Sequence, residues 1–173
     1  MNKFIGYFAF SVFLLSLIAH LLTFVSVVPI AMSMVWPLHI GAMLSFVPMV
    51  FSAQRFQKKN AELFSGRDIR KFFTPFISAR LSVLCTCAFL YAMFNFAMML
   101  YHLPEGGPHF ENGRYEIRSH GRTSRVITKQ EYEQLQAYEV RGFSGHWILF
   151  SLFPTIFFLK VVPAIEEKEK KPS

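Results

Sequence analysis

From Phe4 to Gln54, 51 consecutive residues, the chain carries no Asp, Glu, Lys or Arg. No other feature constrains its fold as much. A bilayer crossing takes about 20 helical residues. One helix of this whole run would be on the order of 75 Å long, at about 1.5 Å per residue. The run must therefore fold back. Pro29 and Pro37 lie near its middle with Ser33 between them, and proline lacks the N–H that a helix interior needs. The reversal is placed at Pro29–Met34, giving spans of 4–28 and 34–52.

Two further apolar runs follow. One covers 76–101, after Thr74-Pro75, where proline suits a helix start. The other covers 143–162 and ends near Pro163. With 53% apolar and 17% charged residues in 173, too little polar chain remains to cover four such segments in water. The expected fold is an all-α integral membrane protein: an antiparallel four-transmembrane-helix bundle. A soluble enzyme, a disordered chain and a disulfide scaffold are disfavoured. Lys3 followed by an apolar stretch has the outline of a signal peptide. The run, however, exceeds the usual apolar core and lacks a clear A-x-A site, so the first span is read as retained.

Charge sets the expected orientation. The segment 53–75 carries Arg55, Lys58, Lys59, Arg67, Arg70 and Lys71 against Glu62 and Asp68. Short cytoplasmic loops are rich in Lys and Arg. This basic loop is therefore assigned inside, with the N-terminus and the tail at 166–173. The segment 103–142, with six basic and six acidic residues, is assigned outside. The expected location is a bacterial inner (plasma) membrane. A net charge of +7 would also suit nucleic acid. Much of the excess sits beside the apolar runs, where anionic headgroups explain it more simply. Arg55, Lys58, Lys59, Arg70 and Lys71 are the expected headgroup contacts, and no nucleic-acid partner is expected.

The outer segment reads as a small insertion. Pro104, Gly106-Gly107 and Pro108 mark an irregular linker through Asn112. Tyr115, Ile117 and Ser119, the His120-Gly121 turn and Val126-Ile127 suggest a β-hairpin. Thr128 to Glu131 fits a capping box, opening a helix with Tyr132, Leu135 and Tyr138 on one face. Gly142 is expected to end it. The stretch Ala137–Trp147 then reads as a tight elbow with an aromatic anchor, or as the rim of a binding site.

No carboxylate lies within any span, which argues against carboxylate-coupled transport. Cys85 and Cys87 are two apart on one helix, point to different sides, and are read as apolar fillers. His20 and His39 each fall about 6 Å outward of the middle of their spans. Asn95 and His146 lie somewhat further out. Tyr91 shares a helix face with Asn95, as Ser16 and Thr23 do with His20. Two readings of this cluster stand side by side. It is interhelical polar glue, or it is a ligand site formed by His20, His39, Tyr91, Asn95 and His146. Haem, a metal or a quinone are the cofactors considered, and none is favoured. A haem fits poorly between spans joined by so short a turn. A quinone or lipid headgroup held by His and Asn is chemically easier. With no catalytic constellation in view, the leading expectation is a non-catalytic accessory, assembly or scaffold component meeting other membrane-protein subunits. A membrane redox or ligand-binding protein is the alternative, and a small channel or transporter ranks last.

Overall fold

The computed structural model describes residues 2–25, 32–59 and 77–170. The expected chain reversal before Met32, the basic residues Arg67, Arg70 and Lys71, and the Thr74-Pro75 helix start lie outside the described residues. Four helices are long and apolar enough to cross a membrane. Helix α1 spans Asn2–Val25, α2 spans Met32–Lys59 and α3 spans Ala79–His102. The fourth, α4, covers Lys129–Ile156, continues through a π-helical turn at Phe157–Val161, and runs on as α5, Val162–Lys170.

Four local features differ from the sequence expectation. First, α2 runs past Ser52 to Lys59, so Arg55 and Lys58 are helical rather than in a loop. Pro37 and Pro48 are both accommodated within it. Second, α3 starts at Ala79, where the Ser78 hydroxyl accepts from Leu81 N–H at 3.3 Å. Third, Gly142 does not end a helix, and Ala137–Trp147 is not an elbow: α4 passes straight through both. Nor does Pro163 stop the chain. Val162 N–H reaches back five residues to Phe157 O. This π-type register adds a residue between Pro154 and Pro163, the kind of local rewinding that lets a helix carry on past a disruption.

Consecutive helices alternate in direction. Gly6 of α1 lies against Phe158 and Leu159, while Thr23 at its other end meets Arg141. On α2, His39, Phe46 and Phe56 meet Trp147, Phe150 and Phe157 in that order. On α3, Ala92 and Met99 meet Gly145 and Gly142. Helix α4 is therefore a hub: α1, α2 and α3 all pack on it, and α1 also packs on α2. Helices α2 and α3 have no extensive contact with each other.

Close approach comes from glycine. A Cβ at Gly142 would lie 2.6 Å from Met99 Cβ, and one at Gly41 would lie 2.9 Å from Val12. Small residues at such crossings let backbones approach and gain dispersion contact. Around these crossings Val12, Ala19, Val35, Ala42, Val140 and Trp147 form one buried cluster. Phe157, Phe158, Val161 and Val162 anchor a second at the opposite end.

The expected hairpin is a three-stranded antiparallel sheet. Its strands are β1, Gly107–Glu111; β2, Arg114–Ser119; and β3, Arg122–Val126, in that order. The stretch read as a linker supplies β1. Both turns have two residues at positive φ, Asn112-Gly113 and His120-Gly121, as the tight turns favoured by strand twist require. Ile117, Ile127 and Leu135 form a buried cluster that fixes the sheet on the first turns of α4. The Thr128 hydroxyl caps α4 by accepting from Glu131 N–H at 3.2 Å. The Glu131 carboxylate does not reach back as a capping box would have it. It pairs with Arg125 at 2.6 Å instead. Arg118 is likewise held by Glu111 and Glu116. The Glu111 hydrogen bond, foremost, raises its guanidinium above the ordinary range.

Candidate functional site

At the sheet end of the helices, α4 presents Arg141, Ser144 and Trp147 at successive three-residue steps. Each ties a different polar group of the neighbouring helices to the hub.

His20 is the centre of this arrangement and is 1% exposed. Its Nδ1 lies 2.7 Å from Ser144 Oγ and its Nε2 lies 2.6 Å from Tyr91 Oη. One imidazole thus joins α1, α4 and α3. Two proton arrangements satisfy a neutral ring. In one, Nδ1–H donates to Ser144, whose hydroxyl donates to Arg141 O at 3.3 Å, and Nε2 accepts from the Tyr91 phenol. In the other, Ser144 donates to Nδ1 and Nε2–H donates to Tyr91. Either way both nitrogens are occupied by side chains, leaving none to ligate iron.

Arg141 closes the same end. Its Nε donates to Thr23 Oγ1 at 3.1 Å and its guanidinium NH2 to Thr23 O at 2.8 Å. The last carbonyls of a helix lack intrahelical partners. Thr23 O is one of these, so the cation both caps α1 and sits at the negative end of its dipole. The guanidinium lies 4.0 Å over the Phe24 ring, a cation–π contact that shields it from the apolar side.

His39 takes a different partner. The wholly buried Trp147 donates from Nε1 to His39 Nδ1 at 3.0 Å. Indole nitrogen only donates, so the neutral His39 ring carries its proton on Nε2. The Trp36 ring covers His39 at a centroid distance of 4.8 Å.

The hydrogen bonds do not join the five residues of the expected cluster into one network. His20 and Tyr91 are brought together. His39 belongs to a separate pair with Trp147. Asn95 is buried but donates to Tyr91 O on its own helix at 2.8 Å. His146 does the same, its Nδ1 lying 3.0 Å from Gly142 O. Ser144, Arg141 and Thr23 complete the arrangement around His20; the sequence places Thr23 on the His20 face, but Arg141 and Ser144 only within the Ala137–Trp147 stretch. The signal for Ser144 was its placement three residues after Arg141 and three before Trp147, one face of a helix. A helix end at Gly142 hides that signal. Among the described residues no three His, Cys, Asp or Glu side chains converge to hold a metal ion.

Of the expected headgroup contacts, Arg55 and Lys58 are exposed at the far end of α2. Arg55 lines a shallow depression with Asn2, Ser52 and Phe56. Lys59 ends the same helix, and Arg70 and Lys71 lie outside the described residues.

No family model matches the chain, and no curated protein or solved structure matches it.

Proposed function

We propose that the chain is a four-span integral membrane protein serving as a non-catalytic accessory or assembly component of a membrane complex. The proposed location is a bacterial inner membrane, with the basic segment and both ends cytoplasmic and the sheet outside. One observation carries the reading. Apart from the buried Ser16 hydroxyl, which has no partner among the described residues, the buried polar side chains of the helices close on each other or on nearby backbone, while apolar side chains cover the outside of the helices. His20, Ser144, Thr23 and Asn95 are all buried and hydrogen-bonded, whereas Leu14, Phe24, Leu44, Leu84 and Phe94 are 41–62% exposed. Polar groups within a bilayer need partners inside the protein, and a bundle whose buried polar groups are mostly satisfied internally suits a scaffold rather than a catalyst. The thinly packed α3 supports a partner subunit. Only Ala92, Asn95 and Met99 of its 24 residues are buried.

Two measurements test this. Cysteines placed at Lys59 and Ser119, in a chain with Cys85 and Cys87 replaced, should be labelled from opposite sides of the membrane. Labelling from one side only would sink the topology. Purification in mild detergent should yield a heteromeric complex. A strictly monomeric species with nothing attached would count against the accessory role.

His20→Leu separates glue from ligand site. Leucine is favourable within a span, so insertion should be normal. Two interhelical hydrogen bonds at about 0.6 kcal/mol each predict a fall in thermal midpoint of a few degrees. Assembly should survive. A variant with wild-type melting that no longer supports the native complex would make His20 a recognition residue instead.

A further inference from the structure

The most informative unassigned feature is a groove on the hub helix. Gly142 and Gly145 face α3, while Trp147 faces α2. Since α2 and α3 have no extensive contact, the α4 surface between those directions is left uncovered. At 100° per residue this surface holds His146 and Phe153, flanked by Phe150. Phe143, His146, Phe150 and Phe153 indeed form one half-buried stripe at spacings of three and four. The α3 wall is Phe96, edge-on to His146 at 5.0 Å. The α2 wall is Phe46, 4.9 Å from Phe150. His39 lies seven residues before Phe46 and hence on the same face of α2.

The polar atoms here are few, and each histidine has one ring nitrogen engaged within the protein. His146 Nδ1 donates to the Gly142 carbonyl, because a carbonyl can only accept. In the uncharged form of the ring this leaves Nε2 as a bare acceptor, with no partner among the described residues. His39 is the reverse: Nδ1 accepts from Trp147, so Nε2–H is a donor, again with no partner among the described residues. Adjacent positions on α4, 146 and 147, thus set one acceptor and one donor at the same level. No Asp, Glu, Lys or Arg occurs in 32–54, 81–102 or 142–159. A charged headgroup finds no counter-ion here. A flat neutral ring finds aromatic edges and faces at the 4.5–7 Å spacings, roughly, that such rings prefer.

We propose that the groove between α2 and α3 binds a neutral lipid-soluble hydroquinone, with His39 donating to the oxygen of one ring hydroxyl and His146 accepting from the other. The alkyl tail runs along Phe150 and Phe153. Sites for small molecules are commonly apolar, with a few placed polar groups fixing orientation. The inference stands independently of the accessory role, since a scaffold subunit can hold a lipid.

The test uses the full chain in lipid nanodiscs and, under reducing conditions, decylubiquinol as the probe. Trp36 and Trp147 are its two tryptophans and adjoin His39, so binding should quench their fluorescence saturably. His146→Leu and His39→Leu should each weaken binding by about three- to tenfold, the loss of one hydrogen bond. His146→Gln, which keeps an acceptor, should largely restore it. Phe153→Trp should block the groove without touching either histidine, which keeps the proposal testable if a histidine variant misfolds. Decylubiquinone, which cannot donate to His146, and decylbenzene, with no oxygens, should each bind more weakly than decylubiquinol. Absence of saturable quenching overturns the proposal, as does unchanged affinity in both His→Leu variants. Capture of a protein subunit by a photoreactive residue at position 153, without hydroquinone binding, also overturns it and makes the groove a helix-docking surface.

Discussion

Gly142→Leu should detach α3 from α4. A Cβ at position 142 would already lie 2.6 Å from both Cβ and Sδ of Met99, and one at Gly145 would lie 3.3 Å from Ala92 Cα. The first clash involves a Cβ fixed to the backbone, so a rotamer change cannot relieve it. Overpacking a filled interior typically costs about 1–3 kcal/mol. Leucine adds three carbons beyond Cβ, and α3 has little to hold it elsewhere. Its buried residues are Ala92, Asn95 and Met99, all against this stretch of α4. The Tyr91–His20 bond would go with it. Thermal unfolding in detergent should show a fall of ten degrees or so, with earlier proteolysis between α3 and its neighbours. Gly142→Ala should show a smaller loss. Met99→Ala in that background should recover part of it, because Sδ and Cγ are removed while Cβ stays. Wild-type melting in Gly142→Leu would rule out this crossing.

Trp147→Ala should be the most damaging truncation. The indole is 0% exposed and sits within the cluster of Val12, Ala19, Val35, Ala42 and Val140. Removing a buried Trp or Phe side chain costs about 3–5 kcal/mol through lost contact and the cavity left behind. The change also leaves His39 Nδ1 without its donor. Trp147→Phe separates the two effects. It keeps most of the volume and loses the hydrogen bond, so it should cost only about 1–2 kcal/mol. Equal melting of the Ala and Phe variants would mean that the hydrogen bond dominates over packing. Equal melting of Trp147→Ala and wild type would mean that the α2–α4 contact carries no stability.

The four long helices were legible because their cause is local. An uncharged run of 51 residues cannot be anything short, and proline and glycine punctuate it. The cap at Thr128 and the turn at His120-Gly121 were legible for the same reason. So was a turn that went unused: Asn112-Gly113 is a strong hairpin signal and would have converted the supposed linker into β1. Glycine in the helices was a different matter. Gly142 has two physical uses, the left-handed residue after a helix and the bare surface where another helix crosses. One dimension does not separate them. Met99, 43 positions earlier in the chain, makes the difference by occupying the space a side chain would need.

Depth and azimuth divide in the same way. Counting residues from a span's middle sets how deep a histidine lies, since each residue rises by about 1.5 Å. It therefore put His20, His39 and His146 in one half of the helices. It could not say which way each ring turns about α4. That angle depends on how close the helices come, and hence on Gly41, Gly142 and Gly145 meeting Val12, Met99 and Ala92. The sequence by itself determined four apolar helices, a balanced insertion and a level rich in imidazole. Only the packing decided that His20 would bridge Ser144 and Tyr91, that His39 would take Trp147, and that His146 would keep an acceptor unused. A side chain's hydrogen-bond partner comes from the helix beside it, and the neighbours of α4 are set by contacts distant in sequence.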